Sequence, residues 1–66
     1  MEQFLEAPRW VDEREVSRIT GIAIQTLRNW RFQRTGPAYS KVMRAVRYRL
    51  DDVINFMEER RVNVDN

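Results

Sequence analysis

The sequence predicts a mainly α-helical domain of three helices with one small, two-stranded β-hairpin. Two helical segments joined by a short Gly-containing turn come first, a segment alternating apolar and basic residues follows, and a third helical segment comes last. Apolar residues at helical spacing indicate a helix, whereas alternation indicates a strand with one buried face. With 66 residues, the chain has the length of one small domain with a thin core.

The first helix is predicted over residues 13–20. Asp12 and Glu15 have the spacing of a capping box, in which the side chain at the helix start accepts a hydrogen bond from an exposed amide. Gly21 supplies a residue that readily takes the left-handed conformation in which many helices end. The turn that follows is short, as a helix-turn-helix requires.

The second helix is predicted over residues 24–34. Leu27, Trp30 and Arg34 fall along one face, which we expect to pack against the core. The opposite face carries Gln25, Arg28, Asn29 and Phe32. An outward Phe32 is unusual, so we expect its ring to wrap around an edge of the core.

A basic β-hairpin is predicted over residues 38–50. Val46, Tyr48 and Leu50 alternate with Arg47 and Arg49. The apolar side chains are therefore expected to face the core, and the two arginines are expected to point away from it without contacts to the rest of the domain. If the turn has two residues, Met43 and Arg44, Lys41 lies opposite Val46 and Tyr39 opposite Tyr48, whereas a longer turn would shift this register. In that register the Lys41 stem packs on the core and its amine reaches water.

The third helix is expected to be capped by Asp51 or Asp52 and to run to about Arg60. These limits predict one domain over residues 10–60, a flexible arm over residues 1–9 and a tail over residues 61–66. Trp10 and Trp30 are both expected in the core.

The charges are strongly segregated along the chain, although the formal net charge is only +2. No Asp or Glu occurs between Val16 and Leu50, a span that holds most of the Lys and Arg residues. Such a basic block predicts a polyanionic partner. A solvated basic surface with no partner remains the open alternative.

The helix-turn-helix order and the basic hairpin together predict binding to double-stranded DNA. The second helix would present base-reading side chains in the major groove, and the hairpin would lie on phosphate or in the minor groove. The candidate contacts on the helix are Gln25, Thr26, Arg28, Asn29 and Arg31. Those on the hairpin are Lys41, Arg44, Arg47 and Arg49. Arg31 lies near the packed side of its helix, so a salt bridge to an acid of the first or last helix is also expected.

Composition argues against an enzyme. The chain has no His and no Cys, which removes the commonest general base and the usual ligands of transition metals. We therefore predict no catalytic residue, no metal site, no cofactor and no small-molecule substrate. No signal peptide and no apolar stretch long enough to cross a membrane is visible, which predicts a soluble intracellular protein.

Four segments in order resemble the excisionase/AlpA-type winged helix-turn-helix family, which is related to the MerR DNA-binding domain. They are VDEREVSRITGI, QTLRNW, GPAYSKV and VRYRLDDV, and the resemblance covers about residues 10–57. The resemblance implies a cofactor-free DNA-binding protein of a prokaryote or phage, cytoplasmic and nucleoid-associated. Family members act as recombination directionality factors of mobile elements or as small transcriptional regulators, so an integrase or neighbouring copies on DNA are implied partners.

Two positions depart from the family pattern. Ala23 stands where Ser or Thr is common, so the second helix is expected to start without a side-chain cap. Met43 stands where Gly is common in the hairpin turn, and a residue other than Gly is strained at positive φ. A wider turn or a different conformation of the hairpin tip is therefore expected.

Two further functions stay open. The DNA-binding domains of phage small terminase subunits share this kind of fold and a similar Asn-Trp end of the second helix. A protein-interaction adaptor could instead use the basic face to bind an acidic protein.

Overall fold

The computed structural model describes residues 8–64 and shows three helices with a three-stranded antiparallel sheet, a mixed α/β arrangement. The elements in chain order are β1 (Trp10–Val11), α1 (Glu13–Thr20), α2 (Ile24–Gln33), β2 (Ser40–Val42), β3 (Ala45–Arg49) and α3 (Leu50–Glu59). Within the described range, no helix combines the length and apolar character that crossing a membrane would need. Most of the predicted arm over residues 1–9 lies outside the described residues, as do the last two residues of the predicted tail.

Helix α1 has the predicted limits. The Asp12 side chain accepts a hydrogen bond from the Glu15 amide at 2.9 Å, and Gly21 ends the helix with a φ of 75°. Only half of the predicted capping box forms, because the Glu15 carboxylate accepts hydrogen bonds from Arg18 instead. One cap is nevertheless enough to define the helix start.

Helix α2 ends one residue earlier than predicted. Arg34 takes the left-handed conformation, with a φ of 62°, and its side chain is exposed rather than packed. The Thr35 amide donates to the Trp30 carbonyl oxygen at 2.8 Å, which satisfies a terminal carbonyl group of the helix. At the other end, Ala23 makes no side-chain cap, as the sequence predicted.

The sheet has the strand order β1-β3-β2, so the predicted two-stranded hairpin gains a third strand. Strands β2 and β3 pair with Lys41 opposite Val46, which confirms the predicted register. Strand β1 was not predicted because two residues are too short to show alternation. It pairs with the other edge of β3, with Val11 opposite Tyr48.

The hairpin turn is tight, so the expectation of a wider turn is wrong. Met43 takes a φ of 56° in a two-residue turn between Val42 and Ala45. The pairing on both sides of the turn holds this conformation, which an isolated Met would adopt only at some cost in energy. The predicted packing of the Lys41 stem is also wrong, because Lys41 is exposed beside the turn.

Helix α3 starts immediately after β3, at Leu50, and neither Asp51 nor Asp52 is its cap. The Leu50 amide donates to the Arg9 carbonyl oxygen at 2.8 Å, so a backbone group from the segment before β1 satisfies the start of the helix. Both aspartates lie in the first turn, where a negative charge interacts favourably with the helix dipole. The helix ends at Glu59, one residue before the predicted end.

The core takes one buried side chain from each of five elements. These residues are Val11, Val16, Leu27, Tyr48 and Val53. Trp30 packs at its edge, with 5.5 Å between the centres of the Trp30 and Phe56 rings. Trp10 is not in the core, since 47% of it is exposed. This packing holds α1 and α2 against the sheet and leaves the far face of α2 open beside the hairpin.

Candidate functional site

An open groove with many cations, called the basic groove below, runs between the start of α1, helix α2 and the hairpin. Its lining residues are Asp12, Glu13, Arg14, Arg28, Arg31, Arg44, Ala45, Val46 and Arg47. Arginines thus converge from three separate parts of the chain, and they outnumber the two acids of the lining. The fold therefore collects positive charge from distant positions on one surface.

The Glu13 carboxylate bridges two of these arginines, Arg28 and Arg31. Its carboxylate accepts hydrogen bonds from Arg28 Nε at 3.2 Å and from Arg28 Nη2 at 2.6 Å. It also accepts one from Arg31 Nη2 at 3.2 Å, while Arg31 Nη1 donates to the Tyr48 hydroxyl at 2.8 Å. One acid of α1 thereby positions two side chains of α2 against the buried tyrosine of β3.

These contacts also determine the ionisation of Glu13. The hydrogen bond from Arg28 is the largest influence and, with that from Arg31, holds the pKa of Glu13 below its ordinary value, although burial opposes the change. Glu13 in turn raises the pKa of Arg28. At neutral pH the three groups are all charged, and Glu13 compensates only part of the positive charge of its two partners.

The remaining cations at this surface have no acidic partner within residues 8–64. These residues are Arg14, Lys41, Arg44 and Arg47. All of them are exposed, and Arg47 uses one guanidinium nitrogen to donate to its neighbouring carbonyl oxygen, Val46 O, at 2.8 Å. Their charges are consequently available to an external anion.

The outward side of α2 forms a continuous stripe beside the basic groove, called the outward stripe below. Its residues are Gln25, Arg28, Asn29 and Phe32. Gln25 Nε2 donates to Asn29 Oδ1 at 3.2 Å, so these two amides orient each other. Thr26 lies next to the stripe and is half-buried.

Phe32 ends the outward stripe, and the expectation that it wraps around the core is wrong. The residue is 90% exposed. Leaving a large apolar side chain in water forgoes about 1.5–3 kcal/mol of favourable burial. The core already contains Leu27 and Trp30 from this helix, and the helical rotation between these residues and Phe32 directs Phe32 to the opposite side.

Phe32 also lines a second groove, on the hairpin side of α2. The lining residues of this second groove are Arg31, Phe32, Tyr39, Lys41, Arg44 and Val46. The exposed ring therefore lies close to two cations of the hairpin, Lys41 and Arg44.

The structure brings together most, but not all, of the sequence-predicted site residues. Arg28, Arg31, Arg44 and Arg47 share the basic groove. Arg31 was expected to pair with an acid of the first or last helix, and it pairs with Glu13 of the first. Arg49 differs, because it forms an ion pair with Asp51 at 3.0 Å and lies 6.0 Å from the centre of the Trp10 ring. The expectation that the Arg49 side chain makes no contact with the rest of the domain is thus wrong.

Sequence reasoning missed three residues of this surface. Arg14 belongs to an acidic segment, which concealed its position in a basic groove. Glu13 contacts Arg28 and Arg31 only through the tertiary fold, so no local pattern marks it. Phe32 was placed on the outward face by its position in the helical repeat, but its ring was then assigned to the edge of the core. The position in the repeat alone would have predicted its exposure correctly.

The chemistry of this surface is that of anion binding by guanidinium and amide groups. The sequence offers no His or Cys, and residues 8–64 contain no group of three acidic side chains arranged to hold a metal ion. The planar guanidinium groups and the side-chain amides can each make paired hydrogen bonds to phosphate oxygens or base edges.

No protein-family model, curated protein or solved structure matches the chain. Fold and site together therefore define a small mixed α/β protein with a basic groove beside an exposed helix face, and its function is inferred from that surface.

Proposed function

We propose that the chain is a sequence-specific double-stranded DNA-binding protein of the winged helix-turn-helix type. The observation that carries the proposal is the meeting of exposed arginines from α1, α2 and the hairpin beside the outward stripe of α2. A duplex offers two features that match this surface, namely rows of phosphates for the cations and base edges for the stripe.

In this proposal α2 is the recognition helix and enters the major groove. From Gln25 to Phe32 the outward stripe extends about 10.5 Å along the helix axis, the rise of about three base pairs. Asn and Gln can make paired hydrogen bonds to adenine, and Arg can do so to guanine. Glu13 occupies the Nε side of the Arg28 guanidinium, which leaves the Nη1 side to meet a base or a phosphate.

The hairpin is the proposed wing and lies on the DNA backbone or in the adjacent minor groove. Arg44 and Arg47 line the same groove as Arg28, so a strand that follows the basic groove would meet all three. Lys41 extends this charge along the hairpin side of α2. Such phosphate contacts set orientation and affinity, whereas the stripe on α2 sets sequence preference.

For the biological role, we propose a recombination directionality factor of a mobile element, supported by the four segments that resemble the excisionase/AlpA-type family. A small transcriptional regulator would use the same surface. A small terminase domain would too, so these three roles differ in where their DNA sites occur. The adaptor alternative differs in kind, because it requires an acidic protein in place of a duplex.

The first experiment compares Arg28→Ala and Arg47→Ala in binding to duplexes selected from random sequence. Arg28→Ala should weaken binding to the selected site roughly ten- to hundred-fold, since it removes a charged contact beside the bases. Arg47→Ala should weaken all sequences alike and reduce the slope of log affinity against log salt by about one.

Arg61→Ala is the matched control. It removes the same charge from an exposed ion pair with Glu58, outside the basic groove. The affinity of Arg61→Ala for the selected duplex should remain close to that of the unmodified protein. If all three variants lose affinity equally, net charge alone drives binding. No selected duplex at all, from a folded sample, would favour the adaptor.

Selecting fragments of the source genome at about 0.15 M salt, where non-specific phosphate binding is weakened, separates the biological roles. Clustered sites beside an integrase gene support excision directionality. A lone site at a promoter supports transcriptional regulation, and a site beside packaging genes supports the terminase role.

A further inference from the structure

We propose that Phe32 is a specificity-determining residue that contacts the C5-methyl group of a thymine in the major groove. This inference rests on the proposed function and deepens it, since it names one base and one chemical group that the surface recognises.

The exposure of Phe32 is the first observation. At 90% exposed, it is the most exposed aromatic residue of the described chain, and it lies near the end of a helix from which Leu27 and Trp30 pack in or against the core. A ring this exposed gains from any apolar contact that a partner offers.

The position of Phe32 is the second observation. It continues the line of Gln25, Arg28 and Asn29, so a partner that reaches these polar side chains also passes the ring. Phe32 lies one helical turn beyond Arg28 and Asn29, at a distance of about 5–6 Å, which corresponds to between one and two base steps of about 3.4 Å.

The charges around Phe32 indicate the chemistry of its partner. Arg31, Lys41 and Arg44 line the same groove as the ring, and no acid does. The partner must therefore be anionic while presenting an apolar group to the ring. Duplex DNA meets both requirements in its major groove, where the thymine methyl is the only apolar group on a base edge and Phe is one of the residues suited to contact it.

The test replaces single thymines by deoxyuridine in the selected duplex, which removes the methyl group and leaves every hydrogen-bonding group in place. For the unmodified protein, one such replacement should weaken binding about four-fold, the equivalent of roughly 0.8 kcal/mol for one buried carbon. Phe32→Ala should bind the thymine and deoxyuridine duplexes equally well, because the ring that senses the methyl is absent.

Met43→Ala is the matched control. Met43 is 86% exposed and apolar like Phe32, but it lies at the hairpin turn. This variant should keep the four-fold preference for thymine. If instead Met43→Ala loses the preference and Phe32→Ala keeps it, the methyl is read by the hairpin and our assignment is wrong.

The remaining outcomes separate this inference from the proposed function. A protein that selects a duplex, yet tolerates deoxyuridine at every position or selects a site without thymine, is a DNA-binding protein whose Phe32 does not read a methyl. If the protein selects no duplex, both the proposed function and the role of Phe32 are wrong. Because Phe32 is exposed, its replacement leaves the core intact, and a circular dichroism spectrum equal to that of the unmodified protein verifies this.

Discussion

Gly36 is the residue whose lack of a side chain matters most to the packing of α2. It has a φ of 85°, and a Cβ atom built on it would lie 2.8 Å from Trp30 Cε3. That close approach positions the Trp30 ring, which in turn packs on Phe56 of α3. Gly21 also has a positive φ, at 75°, but a Cβ atom there would meet nothing within 4 Å.

The two glycines make a matched pair for mutation. Gly21→Ala should lower the free energy of unfolding by about 1 kcal/mol, the cost of a left-handed conformation for a residue with a Cβ. Gly36→Ala should lower it by about 2–4 kcal/mol, because steric overlap with Trp30 adds to the same backbone cost. Urea unfolding followed by tryptophan fluorescence measures both. Equal losses would mean that Trp30 moves aside without penalty.

For most residues of the site, the sequence predicted that they belong to a basic surface but did not predict which side chains they contact. The acid-free span and the phase of α2 correctly marked Arg28, Arg44 and Arg47 as members of one surface. The link from Glu13 to Arg28 joins positions far apart in the chain, and only the packing of α1 on α2 brings them together. The exposure of Phe32 likewise depended on how fully the core was already occupied.

At the scale of elements, α2 has a weak start. Ala23 has the extended backbone conformation of an N-cap residue, with φ −62° and ψ 144°, but its side chain cannot accept a hydrogen bond from the first amides. Helix α1, by contrast, has the Asp12 cap. The proposed recognition helix thus begins without a side-chain acceptor for its first amides.

Ala23→Ser should supply the missing cap and raise the free energy of unfolding by about 1 kcal/mol. In a domain of this size, that change corresponds to roughly 4–8 °C in the melting temperature. Ala38→Ser is the control, since Ala38 is exposed and precedes no helix, and it should leave the melting temperature unchanged. Identical melting curves for Ala23→Ser and the unmodified protein would indicate that water already satisfies these amides.

Elements defined by local signals were predicted well, and those defined by distant pairing were not. The limits of α1 follow from Asp12 and Gly21. The hairpin register follows from alternation only once the turn has two residues, and the presence of Met43 had argued for a wider turn. Strand β1 forms through backbone pairing with the free edge of β3, which is distant in sequence. The early start of α3 depends similarly on the Arg9 carbonyl oxygen, which no pattern near Leu50 reveals.

For the whole molecule, the Glu13 contacts join α1, α2 and β3 and should make stability depend on pH. Because the folded state lowers the pKa of Glu13, its contribution is present above the unfolded value, close to 4.5, and is lost as pH falls through the lower folded value. At pH 7, Glu13→Gln should lower the free energy of unfolding by roughly 1 kcal/mol, since water screens a partly exposed ion pair.

Urea unfolding of Glu13→Gln and the unmodified protein at a series of pH values tests this. The difference between them should shrink on acidification and vanish once the unmodified carboxyl is protonated. Glu58→Gln, which alters an ion pair exposed on α3, should differ little from the unmodified protein at any pH. A Glu13→Gln difference that stays constant with pH would mean that charge is not the source of the effect.

The pairing of β1 with β3 has a consequence for the rate at which the protein unfolds. Helices α1 and α2 and the β2–β3 hairpin are built from neighbours in sequence, whereas Val11 meets Tyr48 only after most of the chain has closed into a loop. Closing so long a loop costs more conformational entropy than forming the local contacts of the helices and the hairpin. We therefore expect β1 to pair with β3 late in folding, so that shortening the Val11 side chain speeds unfolding in stopped-flow measurements and leaves the refolding rate unchanged.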